Sequence, residues 1–230
     1  LPQEIKDEFE KAISLNVIDK YWTENINSLA HLRESVMMRG YGGQDPLRAY
    51  TIEGLDMKKD TLKIKEFLNV SPQETAIAPN LTVKENLEFM AGVYQIKNKD
   101  EKIAELVRQF KLDEVLKKKA KTLSGGWQRK VSIAISLIND PKILFLDEPT
   151  LGLDVIARKE LWKVINSLKG KITIILTTHY MEEAESLSDR IGIMANGNIV
   201  EVGTSKELIK KTKAKNFEDA FVSIATGGEL

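Results

Sequence analysis

The sequence LSGGWQRKVSIAISLINDPKILFLDEPTLGLD, residues 123–154, decides the fold predicted for this chain. It begins as a glycine loop that opens a helix, with Ser124 at the N-cap position, where its hydroxyl is expected to accept from the first free N–H groups. Gly125 and Gly126 have no Cβ, so an anion can approach the backbone there. The free N–H groups and the positive end of the helix dipole favour phosphate at such a point.

A short apolar run, residues 142–146, follows this helix and predicts a buried strand. The strand delivers Asp147 and Glu148 to its carboxyl end, and Pro149 ends it. Open α/β sheets bind ligands at this edge. Two adjacent carboxylates there suit a Mg²⁺ ligand and a base that polarises water.

These elements, in this order, resemble the signature motif, Walker B strand and D-loop of an ABC-type ATPase. The resemblance extends outward to Gln73, similar to the Q-loop glutamine, and to His179, similar to the switch histidine. It implies an α/β fold, namely an incomplete P-loop NTPase (ABC ATPase) domain with a helical subdomain at about residues 76–125. The sequence of residues 177–204 most resembles that of the ATPases of multidrug or ABC-2-type exporters.

The resemblance also implies a role for each matching residue. Glu148 and His179 would be catalytic, the first polarising water and the second sensing the γ-phosphate. Asp147 and Gln73 would hold Mg²⁺, and Asp154 would belong to the D-loop. The signature residues would close on ATP in trans: Ser124, Gly125, Gly126 and Gln128.

The phosphate-binding loop of this family, Gly-x-x-x-x-Gly-Lys-Ser/Thr, does not occur in the 230 residues. The only Gly-Lys pair, Gly170-Lys171, has Ile165 and Ile172 where the first glycine and the hydroxyl belong. We therefore expect the chain to use ATP and Mg²⁺ only if a partner, a complete ABC ATPase subunit, supplies the loop. The P-loop strand is normally central in the sheet, so its loss is expected to leave strand edges uncovered.

Residues 1–57 have a different character and predict a long helical hairpin. Apolar residues recur at helical spacing from Pro2 to about Met38, a glycine-rich loop follows, and a return helix starts near Leu47. By periodicity alone the apolar stripe is equally a bundle core or a dimer face. Its wording nevertheless resembles the two-helix finger of the SecA preprotein translocase, which implies a polypeptide contact at Tyr41 and the Sec translocon as a partner.

Two domains are thus predicted, 1–57 and 58–230, with the junction between about 48 and 60. The elements predicted after the junction are a strand at 67–70; helices at 82–95, 100–110, 113–119, 154–168, 204 onward and 217–225; a strand at 172–177; and a hairpin of strands 191–194 and 199–202. Capping sequences are predicted to begin the helices at Thr82, Asp154 and Thr204, and Asn196-Gly197 is predicted to form the hairpin turn.

Composition restricts the classes of function. The formal net charge is zero, which disfavours nucleic acid as a partner, and there is no cysteine for a disulfide or thiolate site. No apolar run reaches the roughly 20 residues that cross a bilayer, and the start lacks a signal-peptide pattern. By resemblance we expect a cytoplasmic protein, peripheral to the inner face of the cell membrane and bound to a transmembrane permease.

Three functions are therefore predicted as alternatives. The first is an ABC-transporter ATP-binding-subunit-like protein that couples ATP binding and hydrolysis to transport but cannot bind ATP by itself. The others are a non-catalytic fusion or interaction fragment and a SecA-like protein-translocation element. A chain that joins fragments of two families is expected to be chimeric, as a recombined, engineered or mispredicted product.

Overall fold

Strand β2 (Ile143–Asp147) is the centre of a three-stranded parallel sheet in the computed structural model, which describes residues 67–228. β1 (Leu68–Ser71) pairs on one side and β3 (Thr173–Thr177) on the other. Ile143, Leu144, Phe145 and Leu146 are all buried, as expected for a strand covered on both faces. The predicted 1–57 hairpin, Tyr41 and the junction lie outside the described residues.

The described residues fall into two compact units, 67–177 and 178–228. The first unit contains the parallel sheet and four α-helices: α1 (Val83–Val93), α2 (Lys99–Phe110), α3 (Gly125–Ser136) and α4 (Val155–Leu168). Two short 3₁₀ turns, Asp113–Val115 and Ala120–Thr122, lie between α2 and α3. The order of strands and helices confirms the mixed α/β class that the sequence predicts.

α1 begins where the sequence predicts, at a capping box. The Thr82 hydroxyl accepts from the Glu85 backbone N–H at 3.2 Å, and the Glu85 carboxylate accepts from the Thr82 N–H at 2.7 Å. These reciprocal bonds satisfy donors that a helix otherwise leaves free in its first turn. They also lower the pKa of Glu85, chiefly through the backbone bond.

The helix predicted for residues 113–119 is wrong, because only the 3₁₀ turn Asp113–Val115 forms there. The carbonyls that follow this turn accept hydrogen bonds from α1 instead. The Leu116 carbonyl accepts from the Lys84 N–H at 3.0 Å, and the Lys118 carbonyl accepts from the Val83 N–H at 3.1 Å. These two N–H groups belong to the first turn of α1 and have no partner within it. A tertiary contact has therefore overridden the helical tendency.

β3 lies at the edge of the sheet formed by the described residues. Its apolar residues Ile174, Ile175 and Leu176 are only half-buried, whereas the equivalent part of β2 is fully buried. Parallel strands are normally covered on both faces, so this exposure is unusual for such a strand. The described residues thus provide no strand next to β3 on its outer side.

The second unit is an antiparallel hairpin packed with three helices. Its elements are α5 (Met181–Leu187), β4 (Ile191–Ala195), β5 (Asn198–Gly203), α6 (Ser205–Thr212) and α7 (Phe217–Ala225). The turn is confirmed at Asn196 and Gly197, both with positive φ, 51° and 74°. Ile191, Ile193, Leu208 and Phe217 form the core of this unit. α5 was not predicted from the sequence.

Within residues 67–228, none of the helices combines the length and apolar character needed to cross a membrane.

Candidate functional site

The predicted sheet-edge residues lie at the carboxyl ends of adjacent parallel strands. Gln73 follows β1 by two residues, and Asp147 ends β2. The register places Ser71 opposite Leu146, and Asp147 opposite Thr177 of β3. The fold therefore brings the Gln73 loop and the Asp147-Glu148 pair to one edge of the sheet, as the sequence predicts.

Hydrogen bonds to β3 hold the Asp147 carboxylate and the Glu148 backbone. The Thr177 hydroxyl donates to the Asp147 carboxylate at 2.5 Å, and the Glu148 N–H donates to the Thr177 carbonyl at 3.1 Å. Glu148 has a positive φ of 45°, a left-handed conformation that costs free energy in a residue with a side chain. Such backbone strain is concentrated at functional sites. Five other non-glycine residues among those described also have positive φ, but of these six only Glu148 lies at the predicted sheet edge.

The glycine loop before α3 has the predicted helix-opening geometry but lacks the predicted cap bond. Ser124 occupies the N-cap position with φ −64° and ψ 158°, yet its side chain makes no capping hydrogen bond. The expectation that its hydroxyl accepts from the first helical N–H groups is therefore wrong. Ser124 and Gly125 are both exposed. An external anion can therefore reach Ser124 and Gly125 at the start of the helix.

The two glycines of this loop differ in their surroundings. A Cβ on Gly125 would meet nothing within 4 Å, so the fold does not require glycine there. A Cβ on Gly126 would lie 3.3 Å from the Ala157 Cβ and 3.9 Å from Leu153. Gly126 therefore permits close packing of α3 against α4, whereas Gly125 leaves open surface in front of the helix.

The Gln128 amide is committed to the protein itself. Its Nε2 donates to the Leu123 carbonyl at 3.1 Å and to the Ala120 carbonyl at 3.3 Å. Both acceptors belong to the turn that leads into the glycine loop. Gln128 thus fixes the path of that loop, and any contact with a nucleotide would have to use its side-chain oxygen.

Arg129 is a residue of the site region that the sequence analysis missed. It is only 4% exposed and donates to four backbone carbonyls. Nε donates to Pro149 at 3.0 Å, one Nη to Asp147 at 2.5 Å, and the other Nη to Gln73 at 3.2 Å and to Pro72. These acceptors lie 18 to 57 residues away in sequence, so no local pattern could have revealed them.

The next residue, Lys130, ties α3 to α4. Its Nζ lies 2.6 Å from the Glu160 carboxylate and 4.6 Å from the centroid of the Trp127 ring. The Lys130 hydrogen bond, together with its charge, lowers the pKa of Glu160. Because half of the Glu160 side chain is exposed, solvent screens the pair and its contribution is small.

Asp154, predicted as the D-loop aspartate, caps α4. One carboxylate oxygen accepts from the backbone N–H groups of Ile156 and Ala157, both at 2.9 Å. The predicted cap is therefore confirmed, and it gives Asp154 a structural function.

His179 lies in the second unit, two residues after the end of β3. Its ring is exposed and packs against Tyr180, with ring centroids 4.2 Å apart.

The described residues do not by themselves fit Mg-ATP. No group of three His, Cys, Asp or Glu side chains among residues 67–228 is arranged to hold a metal ion. Asp147 and Gln73 alone would not hold Mg²⁺, because the ion takes most of its remaining ligands from phosphates and water. The glycine-lysine loop that would hold those phosphates is not in the sequence. We therefore derive no reaction step at this site.

The fold and the sheet-edge residues define a P-loop NTPase-like α/β domain, and comparison with known proteins specifies its type. The family model "ABC transporter" matches residues 41–151. The model "SecA Wing and Scaffold domain" matches residues 3–68, almost entirely outside the described residues.

Curated relatives agree with the ABC match. ABC transporter A family member 12 of Arabidopsis thaliana is 44% identical over 161 residues, covering 68% of this chain and 18% of that protein. The linearmycin resistance ATP-binding protein LnrL of Bacillus subtilis (strain 168) is 37% identical over 164 residues, covering 70% of this chain and 53% of that protein. The chain thus spans about half or less of the length of these relatives.

A solved structure of the ATP-binding subunit of an ABC transporter superposes with a TM-score of 0.66 at 25% identity, covering 75% of this chain and 74% of that chain. By fold and by sequence, this chain is similar to the ATP-binding domains of ABC transporters. The names of the relatives described above do not mention SecA.

Proposed function

We propose that this chain acts as an ABC-transporter ATP-binding subunit that cannot hold ATP alone and completes the ATP site of a partner subunit. One observation carries the proposal. The exposed Ser124 and Gly125 lie at the start of α3 with open space in front of them, while the sequence has no phosphate loop of its own. In the resembled family, two subunits pair head to tail, and the signature loop of one closes over ATP bound to the other.

The chemistry of the loop supports this assignment. The hydroxyl of Ser124 and the first N–H groups of α3 are neutral donors that suit a phosphate already held by another subunit. They do not replace the lysine and the backbone cradle that bind a triphosphate in the first place. The partner is therefore a complete ABC ATPase subunit, and by resemblance a transmembrane permease anchors both at the inner face of the membrane.

The test is the ATPase activity of an equimolar mixture of this chain with a complete ABC ATP-binding subunit, such as the Bacillus relative described above. Ser124→Arg places a bulky cation where the phosphate must approach and should abolish the stimulation by this chain. Glu148→Gln alters a carboxylate that faces no phosphate cradle and should retain most of the stimulation.

The opposite result, with Glu148→Gln inactive and Ser124→Arg active, would mean that this chain hydrolyses ATP at its own sheet edge. Absence of stimulation by the unaltered chain, at concentrations where it binds the partner, would leave a non-catalytic interaction fragment.

The SecA-like reading is a second candidate, supported by the family match over residues 3–68. It predicts that position 41 meets a translocating polypeptide. Since the chain has no cysteine, Tyr41→Cys provides a unique crosslinking site, and the exposed Lys117→Cys is a matched control. Crosslinks from position 41 to a chain held in the Sec translocon, without crosslinks from position 117, would establish this role; equal yields from both positions would exclude it.

A further inference from the structure

Arg129 joins three segments that carry candidate site residues, namely those of Ser124, Gln73 and Asp147. It is part of α3, the helix that Ser124 opens. Its guanidinium donates to the carbonyls of Pro72 and Gln73, which follow β1, and to the carbonyl of Asp147, which ends β2. A single side chain thus joins the signature helix to the ends of two adjacent strands.

The position of Arg129 on α3 determines which face of the helix is held against the sheet. Gly125 and Arg129 are four residues apart and so lie on the same helical face. The face that presents Gly125 at the helix start is therefore fastened to the sheet one turn later. Only the planar fork of arginine can reach several carbonyls in different directions; lysine offers one point charge.

The acceptors are main-chain oxygens, so the contact fixes backbone geometry and does not depend on which side chains follow. Arg129 is 4% exposed, and water cannot readily replace these bonds. Removal of the guanidinium would leave one buried carbonyl, that of Pro149, and three partly buried carbonyls without this donor. The loss would destabilise these segments locally.

We propose that Arg129 is a positioning residue: it sets the placement of the signature loop relative to the Gln73 and Asp147 segments. Its consequence for activity rests on the proposed function, since the loop would act on ATP held by a partner. In that setting Arg129 does not touch the nucleotide. It holds the Ser124 donors where they stabilise the transition state.

The first arm of the test uses the chain alone. Amide hydrogen exchange is measured for Arg129→Lys and for a control, Val131→Ala, which alters a fully buried residue of the same helix. Each variant is measured at the same number of degrees below its own melting temperature. Exchange within residues 71–75 and 147–151 should be about tenfold faster in Arg129→Lys than in the control. Equal exchange in both variants would overturn the proposal.

If Arg129→Lys does not fold, the unaltered chain decides the matter. The Nε–H of Arg129, bonded to the Pro149 carbonyl, should exchange with solvent as slowly as a core amide in ¹⁵N-labelled protein. Rapid exchange typical of a surface arginine would overturn the proposal.

The second arm measures the ATPase activity of the mixture with a complete ABC subunit. Arg129→Lys should lower kcat about tenfold and change the KM for ATP by less than about threefold, because the partner holds the nucleotide. Val131→Ala should keep the kcat of the unaltered chain. An unchanged kcat in Arg129→Lys, in a mixture that Ser124→Arg does inactivate, would overturn this role while the proposed function stands. If the unaltered chain gives no stimulation, the proposed function fails, and the hydrogen-exchange experiment alone tests whether Arg129 positions the signature loop.

Discussion

The hydroxyl of Thr177 on β3 donates a hydrogen bond to the carboxylate of Asp147 on β2, 2.5 Å away across neighbouring parallel strands. This bond orients the carboxylate that resembles the Walker B aspartate. It also links β3, at the edge of the sheet formed by the described residues, to the candidate site.

Thr177→Val should therefore free the Asp147 carboxylate and destabilise the chain by about 1 kcal/mol, the usual size of such a bond at a partly exposed position. Thr177→Ser keeps the hydroxyl and should lose less than half as much. Melting curves of the two variants check this; equal losses would show that the methyl group of Thr177, and not its hydroxyl, matters.

The two signature glycines should respond in opposite directions to alanine. Gly125→Ala meets open space and gains helix propensity, so it should be neutral or more stable by up to about 1 kcal/mol. Gly126→Ala forces a Cβ against Ala157 at 3.3 Å and should cost about 1 kcal/mol. Denaturant unfolding of both variants tests the pair, and a greater loss in Gly125→Ala would contradict the packing described for α3 and α4.

Asp154→Ala should cost about 1 kcal/mol, because the N–H groups of Ile156 and Ala157 lose their cap. Asp154→Asn keeps an acceptor and should retain most of that stability. If both variants melt alike, the carboxylate charge rather than the cap contributes the stability.

Acid should weaken the two capping boxes. Hydrogen bonds from Thr82 and Thr204 lower the pKa of Glu85 and Glu207 from the ordinary value of 4.5. A pKa that is lower in the folded state means that the unfolded chain binds more protons, so the contribution is present above pH 4.5 and lost as pH falls below it. Melting temperatures of Glu85→Gln between pH 6 and about pH 3 should show a shallower decline than those of the unaltered chain.

Lys84→Gln changes a neighbouring charge without touching the box, and it should leave the decline in place. An equal flattening in Lys84→Gln would assign the effect to net charge.

Local signals predicted the elements that local chemistry decides. The capping boxes at Thr82 and Thr204, the cap at Asp154 and the Asn196-Gly197 turn all form as predicted, because each depends on residues within a few positions. The helix Met181–Leu187 escaped prediction although Glu182 and Glu183 in its first turn are a recognisable signal.

Distant partners decided what the sequence could not predict. The segment after Asp113 does not form the predicted helix, because its carbonyls accept hydrogen bonds from N–H groups in the first turn of α1. The buried Arg129 finds its acceptors in three separate loops and strand ends, which only the folded chain brings together. Motifs therefore located the candidate site, and tertiary contacts determined how it is held.

The most direct measurement is an equilibrium titration of Mg-ATP into the purified chain, with thermal melts at each nucleotide concentration. The account predicts no saturable binding and an unchanged melting temperature up to millimolar nucleotide, because the phosphate loop is not in the sequence. Binding at micromolar concentrations, with the stabilisation of about 2.7 kcal/mol expected at a hundredfold excess over Kd, would contradict it and require a phosphate site within this chain.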